Sequence, residues 1–518
     1  MVAQSPLLLI RADASARIGT GHVMRCLALA QAWADYGGRA VFACAQIPSA
    51  LADRLQKEGF PVHAITAAPG SVNDAEQTMR LALTTSATAP AFPTPQPSVP
   101  SGWIVADGYH FDLPFQRAVR ASGIKLLLID DYGILSGYEA DLLLNQNIDA
   151  DAYNYSSIPD ASRLLGPRYA LLRREFATPE VSDREVRTVA RNVLVTLGGA
   201  DPNNITGLVV KAIQAIRDSD LSVRVLIGPA FPHRETLERT IREDQRFEIL
   251  SCVENMPTIM RWADMAVSAG GSTVWELLKM GVPSLILDIA DNQRSLAAEL
   301  GKQNLAVHVS SATELTEECL IHAFKNLQYS HSLRAELSRR GPILVDGCGA
   351  ERVVMHLLKL PIRLRPWLPS DVQFIFELAN EPTVRANSFH AESISWDTHI
   401  QWFSRRLKDR SARSYMAVDG SDNPVAQIRF DIENTHSVIS CSVAKPYRGR
   451  GFGKEAVRQA CRKHFVEETD VDEIWAFIKH DNKASRHLFA RCGFVYTDRI
   501  CKCGVVAELW KLKREAVV

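Results

Sequence analysis

Paired cysteines, long apolar runs and an excess of either charge are all missing from this chain of 518 residues. Its ten cysteines stand apart, with only Cys501 and Cys503 close together. No CxxC sets are present to read as a zinc or redox site, and the expected setting is a reducing cytoplasm. No stretch approaches the roughly 18–20 apolar residues that a membrane span requires. The apolar opening is broken by Gln4, Ser5 and Pro6 and runs into Arg11 and Asp13, so it reads as a buried first strand rather than a signal peptide, and no stable membrane association is expected. The 59 basic and 59 acidic residues cancel, which argues against nucleic acid as a partner. No carboxylate or histidine cluster has ligand spacing, so no metal is expected. The sequence assigns no oligomeric state.

What the chain does have is two phosphate-cradling glycine turns of different kinds. Arg17-Ile18-Gly19-Thr20-Gly21-His22 follows the apolar run Leu7–Ile10, and Arg448-Gly449-Arg450-Gly451-Phe452-Gly453 follows the strand-like Ile439–Val443. Each is a strand, a glycine turn and a helix-forming run, which aims backbone N–H groups and a positive helix end at an anion. Two such turns imply two ligands. The length exceeds the roughly 250–300 residues at which a single core stops growing, so two or three domains are expected.

Short apolar runs at Leu7–Ile10, Ala40–Ala43, Trp103–Ala106 and Leu126–Ile129 alternate with helical stretches at Val23–Tyr36, Pro48–Glu58 and Leu113–Ser122. This predicts a doubly wound parallel α/β domain over residues 1–165. The segment 84–101, with five prolines among Thr, Ser and Ala, reads as a floppy surface insertion. After a turn-rich passage from Asn145 to Asp183, strands at Val193–Leu197, Val223–Ile227, Met265–Ser268 and Ser284–Leu287 predict a second Rossmann-like domain over 166–355. Its informative turns are Leu197-Gly198-Gly199-Ala200-Asp201 and Ser268-Ala269-Gly270-Gly271-Ser272-Thr273. In the second, Gly270 and Gly271 would let the backbone approach a pyrophosphate, Ser272 and Thr273 would cap the helix Val274–Met280, and Glu276 could accept both hydroxyls of a ribose. An ordinary strand-to-helix turn with a solvated glutamate is the plainer alternative. Asp13 and Asp201, at strand ends, suit turn formation as well as ligand contact.

The spacing Gly270-Gly271-Ser272-Thr273-x-x-Glu276, then Gly281-Val282-Pro283 and Asp291-Asn292-Gln293, resembles the UDP-sugar half of two-domain glycosyltransferases of the GT-B fold. With Arg11-Ala12-Asp13, Ile18 to His22, Asp130-Asp131, Leu142–Asn145, Tyr169–Phe176 and Gly198–Asp201, residues 1–355 are most similar to the UDP-sugar hydrolases of pseudaminic acid synthesis, which remove UDP from a 2,4-diacetamido-trideoxy-altrose. The resemblance implies two Rossmann-like domains in a GT-B arrangement. It also implies a UDP-sugar site drawn from Gly19, Gly21, Gly198, Gly199, Gly270, Gly271, Ser272, Thr273, Glu276, Asn292 and Gln293. His22 then becomes the candidate base for water, since a neutral imidazole accepts a proton near pH 7. Otherwise it hydrogen-bonds a phosphate or caps its helix. A glycosyltransferase similar to the one that adds N-acetylglucosamine to the lipid-linked peptidoglycan precursor, and a nucleotide-sugar-binding module without turnover, are the rival readings.

From residue 361 the texture changes to shorter strands joined by hairpin signals such as Asp419-Gly420-Ser421-Asp422-Asn423-Pro424, which predicts an α+β domain over 361–518. Strand Val438–Val443, turn Arg448–Gly453, helix Lys454–Phe465, strand Ile474–Ile478, then Asn482-Lys483-Ala484-Ser485 and Arg491-Cys492-Gly493-Phe494 resemble in order the GNAT family of acetyl-CoA-dependent N-acetyltransferases. The resemblance implies acetyl-CoA as cosubstrate, held by Val443, Arg448, Gly449, Arg450, Gly451, Phe452, Gly453, Lys454 and Asn482, with Arg448 and Arg450 adding charge. Phe489 stands where many members carry a tyrosine general acid, which leaves Ser485, His487 and Tyr496 as candidates. Glu433 and His436 are candidate bases for the incoming amine. A protein N-acetyltransferase is the alternative for this domain. Taken together, the resemblances imply two consecutive steps of pseudaminic acid synthesis: N-acetylation of a UDP-4-amino-sugar, then hydrolysis of the UDP-diacetamido product.

Overall fold

The structure, a computed structural model, describes residues 6–15, 18–87, 102–159, 162–176, 184–198, 201–228, 231–251, 253, 255–290, 293–309, 315–359, 361–390, 392–449 and 451–517. The chain divides into two units, Met1–Val354 and Met355–Val518.

The first unit contains two parallel sheets. In one, β1 (Leu7–Ala12), β2 (Arg39–Cys44), β3 (Val62–Ala64), β4 (Gly102–Asp107), β5 (Lys125–Ile129), β6 (Leu142–Asn145) and β7 (Arg163–Leu165) lie in the order β3-β2-β1-β4-β5-β6-β7. In the other, β8 (Asn192–Thr196), β9 (Ser222–Ile227), β10 (Phe247–Ser251), β11 (Met265–Ala269), β12 (Ser284–Leu287) and β13 (Val307–Val309) lie in the order β10-β9-β8-β11-β12-β13. Every residue of β1, β11 and β12 is buried, as helices on both faces of a parallel sheet demand, and this is why these strands read as unbroken apolar runs. Strand order reverses between β1 and β4 in one sheet and between β8 and β11 in the other. The crevice outside the carboxyl ends of such strands is where doubly wound sheets bind ligands.

Two expectations need correction. Residues 84–87 are not part of a floppy insertion but the last turn of the helix Val72–Ala87; the rest of the proline-rich segment, 88–101, lies outside the described residues. The turn-rich passage from Asn145 onward carries β7, a three-residue edge strand too short to show a period, paired with β6.

In the second unit β14 (Arg363–Pro366), β15 (Ala412–Val418), β16 (Pro424–Glu433), β17 (His436–Val443), β18 (Glu473–Lys479), β19 (Val495–Lys502) and β20 (Val505–Lys513) form one sheet in the order β14-β15-β16-β17-β18-β20-β19. All pairings are antiparallel except β17 with β18. That parallel pair is joined only from His436 to Val438 against Glu473 to Trp475. Beyond Val438 the two strands part, although β17 stays paired to β16 as far as Val443. The unpaired edges of β17 and β18 leave a wedge-shaped opening with backbone donors and acceptors along it.

Candidate functional site

In the first unit the site grows from the switch between β1 and β4. His22 is the second residue of the helix Gly21–Asp35, and its ring is 7% exposed. The N–H groups of Gly21 and His22 fall in the first turn of that helix, where no helix carbonyl precedes them. Gly19, with φ of +77°, donates its own N–H to the Ser15 carbonyl at 2.8 Å, so it shapes the turn rather than offering a donor.

His22 Nδ1 lies 2.7 Å from Oδ1 of Asp107, the last residue of β4. Burial would raise the Asp107 carboxyl, but Arg25 and His22 together hold it well below the usual carboxylate range. An ionised Asp107 can only accept, so Nδ1 carries the hydrogen and Nε2 is left with its lone pair. Arg25 clamps Asp107 through Nε at 2.7 Å and Nη2 at 2.6 Å, and reaches Asp131 at 2.7 Å. Tyr109 meets the imidazole edge-on with centroids 4.9 Å apart, and its hydroxyl donates to Asp131 at 3.3 Å. The imidazole is thus fixed in tautomer and orientation by groups that are themselves paired. Of these partners sequence reasoning singled out only Asp131, in the string Asp130-Asp131. Arg25 sits at i+3 from His22 on one helix face and Asp107 ends an apolar strand, a weak signal that points to no pairing before the sheet order is known.

The second sheet brings its glycine turn against the first. A Cβ on Gly21 would stand 3.3 Å from Ser272 Oγ, and one on Gly270 would stand 3.0 Å from the Gln293 carbonyl. Gly21, His22, Gly270, Gly271, Ser272, Thr273 and Gln293 therefore border one region between the carboxyl ends of both sheets. Gly198, with φ of +95°, follows β8 at the same edge. Gly199 and Asn292 lie outside the described residues. Ser272 does not cap: its φ and ψ of −60° and −24° are already helical and its side chain makes no capping bond. Glu276 is not simply solvated, because Arg173 Nη2 holds its Oε1 at 2.7 Å. Gln293 Oε1 is buried with no hydrogen-bond partner among the described residues.

The two strand-end aspartates are structural. Asp13 accepts from the N–H groups of Ala45 and Gln46 at 2.7 and 3.0 Å, and Asp201 accepts from those of Ile205 and Thr206 at 2.9 and 2.7 Å.

In the second unit the glycine turn sits where β17 and β18 part. Gly451, with φ of +87°, precedes the helix Phe452–Glu467, and a Cβ on Gly453 would come 3.0 Å from Val443 Cγ2. The close approach of this helix start to β17 therefore favours glycine, and Gly449, Phe452 and Lys454 flank the same cradle. Arg450 lies outside the described residues. Arg448 does not point loose charge at a ligand: its Nε donates to the Val443 carbonyl at 2.8 Å and its Nη2 to Glu381 at 2.8 Å, which braces the loop. Asn482 accepts from the Ser485 N–H at 3.0 Å as the cap of the helix Lys483–Arg491.

Of the proposed acid and base groups, Glu433 and His436 occupy the turn between β16 and β17, where His436 stacks on Trp475 at 3.7 Å. Seven residues of extended chain separate His436 from Val443, about 23 Å, which takes the pair away from the glycine turn. Phe489 is a core residue, 6% exposed, and Tyr496 lies edge-on to Trp510 at 6.0 Å. A different histidine, His480, approaches a carboxylate here; its ring nitrogen Nδ1 is 2.9 Å from Glu508 Oε1.

Among the described residues no group of three or more His, Cys, Asp or Glu could hold a metal ion, and no helix is long and apolar enough to cross a membrane.

Comparison with known proteins agrees with this division. Residues 192–340 match the glycosyltransferase family 28 C-terminal domain, and residues 362–495 match the acetyltransferase (GNAT) domain. The spore coat polysaccharide biosynthesis protein SpsG of Bacillus subtilis is 29% identical over 238 residues, 46% of this chain and 70% of that protein. A UDP-2,4-diacetamido-2,4,6-trideoxy-beta-L-altropyranose hydrolase of Campylobacter jejuni is 22% identical over 308 residues, 58% of this chain and 98% of that protein. A spermidine N-acetyltransferase of Vibrio cholerae, solved with CoA and spermine, aligns over 30% of this chain and 98% of its own at 17% identity and a TM-score of 0.29. The protein is a two-unit enzyme, α/β throughout its first unit and α+β in its second. More particularly, a unit homologous to hydrolases named for the pseudaminic acid pathway is followed by a domain that matches the acetyltransferase (GNAT) model.

Proposed function

We propose that residues 361–518 acetylate the 4-amino group of a UDP-amino-sugar, and that residues 1–355, as two Rossmann-like domains (1–165 and 166–355) in a GT-B arrangement, hydrolyse the UDP-2,4-diacetamido-2,4,6-trideoxy product to UDP and free sugar. The observation that carries the hydrolytic half is the buried His22–Asp107 hydrogen bond of 2.7 Å at the switch point, braced by Arg25. Nε2 of His22 takes a proton from water, the water oxygen bonds to the anomeric carbon, and the bond to the UDP oxygen breaks. Asp107 stabilises the imidazolium so formed, and the first turn of the helix Gly21–Asp35 supports the departing diphosphate. Glu276, already aligned by Arg173, has a second oxygen for the ribose. The unpartnered Gln293 Oε1 suits a ligand donor, because a buried acceptor left without one costs roughly 1–3 kcal/mol. Gly21, Gly198, Gly199, Gly270, Gly271, Ser272, Thr273 and Asn292 complete the UDP-sugar contacts, around the turn that Gly19 shapes. In the acetyltransferase half, Val443 and the turn Gly449–Lys454 receive acetyl-CoA, with Asn482 across the opening.

The test is mass spectrometry of the products formed from UDP-4-amino-sugars with and without acetyl-CoA. Conversion to free diacetamido-sugar and UDP, dependent on acetyl-CoA, is expected. UDP-sugar binding without turnover, or transfer of the sugar only when an acceptor is added, would overturn the hydrolase reading.

A further inference from the structure

We propose that His480 and Glu508 act as base and positioning residue in an acceptor pocket of the second unit that takes a primary amine carried on an anionic molecule. A cavity of about 450 Å³ is lined by Asn387, Lys479, His480, Asn482, Arg499 and Val506, among others. It opens where β18 ends, on the side of the strand that pairs with β20, and it shares Asn482 with the proposed acetyl-CoA site. Glu508 stands on β20 opposite Ile478 of β18 and is 5% exposed. Besides His480 it accepts from Trp510 Nε1 at 3.0 Å and lies 3.3 Å from Arg486 Nε. An ionised, immobilised carboxylate fixes the hydrogen on Nδ1 of His480 and leaves the Nε2 lone pair for the cavity.

Glu508 is held by Trp510 and Arg486 as well, so it is a fixed acceptor for the half-exposed ring. The remaining charged groups at the ring are Lys479, which donates to the Ala386 carbonyl at 3.0 Å, Asp481, Arg486 and Arg499. Lys479 and Arg499 outweigh Asp481 along the lining, which favours an acceptor bearing phosphate. The UDP-amino-sugar of the proposed function meets that description, and the identity of the acceptor rests on that reading.

In the step, Nε2 of His480 takes one proton from the substrate ammonium. The amine nitrogen then bonds to the thioester carbonyl carbon, the carbon–sulfur bond breaks with its electron pair on sulfur, and the second amine proton ends on the thiolate. Products are the amide, free CoA thiol and one proton that His480 returns to solvent.

The full chain is assayed by thiol release at saturating acetyl-CoA between about pH 5.5 and about pH 9, a range across which a histidine base changes its charge. His480→Gln is expected to lower kcat/KM roughly 10²–10⁴-fold and to remove the acid limb of the pH profile. Glu508→Gln should lower it less and move that limb. Acetyl-CoA affinity by calorimetry, and UDP release from the diacetylated sugar, should not change. Nitrogen NMR of the His480 ring should show Nδ1–H in the wild type and a mixed tautomer in Glu508→Gln. Arg499→Glu should raise KM for the UDP-amino-sugar but not for the free amino-sugar. A His480→Gln loss below about tenfold with the acid limb intact would overturn the assignment. If the wild type ignores UDP-amino-sugars but acetylates another amine in a His480-dependent way, the pair stands and the substrate reading falls.

Discussion

In the proposed hydrolysis, His22 depends on three charged neighbours that compensate one another. Arg25 is buried between Asp107 and Asp131, both of which it pairs at 2.6–3.0 Å. Removing one partner of such a buried pair costs about 3–5 kcal/mol, far more than an exposed pair at 0–1 kcal/mol. Arg25→Ala should therefore lower the melting temperature of the first unit by many degrees. Asp107→Asn keeps the shape but leaves Arg25 short of one anionic partner and no longer dictates the tautomer, so it should reduce UDP release by orders of magnitude and also lower the melting temperature of the unit. His22→Ala should abolish UDP release, with a loss of at least roughly 10²-fold, and leave acetyl transfer intact. A loss below tenfold, measured by initial rates of UDP formation, would remove His22 from the mechanism.

At the scale of elements, the proposed acetyl-CoA site depends on strands that stop pairing. β17 and β18 share only three residue pairs, and the helix Phe452–Glu467 starts so near β17 that Gly453→Val would drive a branched side chain into Val443. That substitution should weaken acetyl-CoA binding at least tenfold by titration and leave UDP release unchanged. The same helix carries His464, stacked on Phe430 at 4.0 Å and 2.8 Å from Ser437 Oγ. Burial, helped by Arg413 and Arg514, pushes its imidazole down to about 3. The folded unit then refuses a proton that the unfolded chain accepts near 6.5, so stability is full above about pH 6.5 and falls as pH drops toward 3, by up to about 1.4 kcal/mol per pH unit. Denaturant melts of His464→Gln should show a shallower acid slope by one proton; an unchanged slope would contradict it. The elements themselves were legible where a period or a glycine marked them. Leu7–Ile10, Met265–Ser268 and Ser284–Leu287 announced buried parallel strands by their apolar runs, and Gly449 to Gly453 marked the start of a helix. β3, β7 and β13, three residues each, are edge strands without room for a pattern. The partners of His22 and the His480–Glu508 contact join residues 85 and 28 positions apart, and only sheet order brings such residues together.

For the whole molecule, the proposed function assigns consecutive reactions on one nucleotide sugar to two units of one chain, and the order of those reactions can be tested by disabling one unit. At Gly451 the φ of +87° is a conformation that a side chain adopts only with strain, and a carboxylate there would also repel a diphosphate. Gly451→Glu should eliminate acetylation while UDP release from already diacetylated UDP-sugar continues at the wild-type rate. The hydrolytic unit should discriminate against the unacetylated amine, because a site that hydrogen-bonds an amide would have to desolvate an ammonium without its partner. With the 4-amino substrate the variant should therefore stall, releasing little UDP whether or not acetyl-CoA is present. Supplying the diacetylated sugar should restore release in the same sample. Equal hydrolysis of both sugars, followed by chromatography of UDP, would show that acetylation does not have to come first.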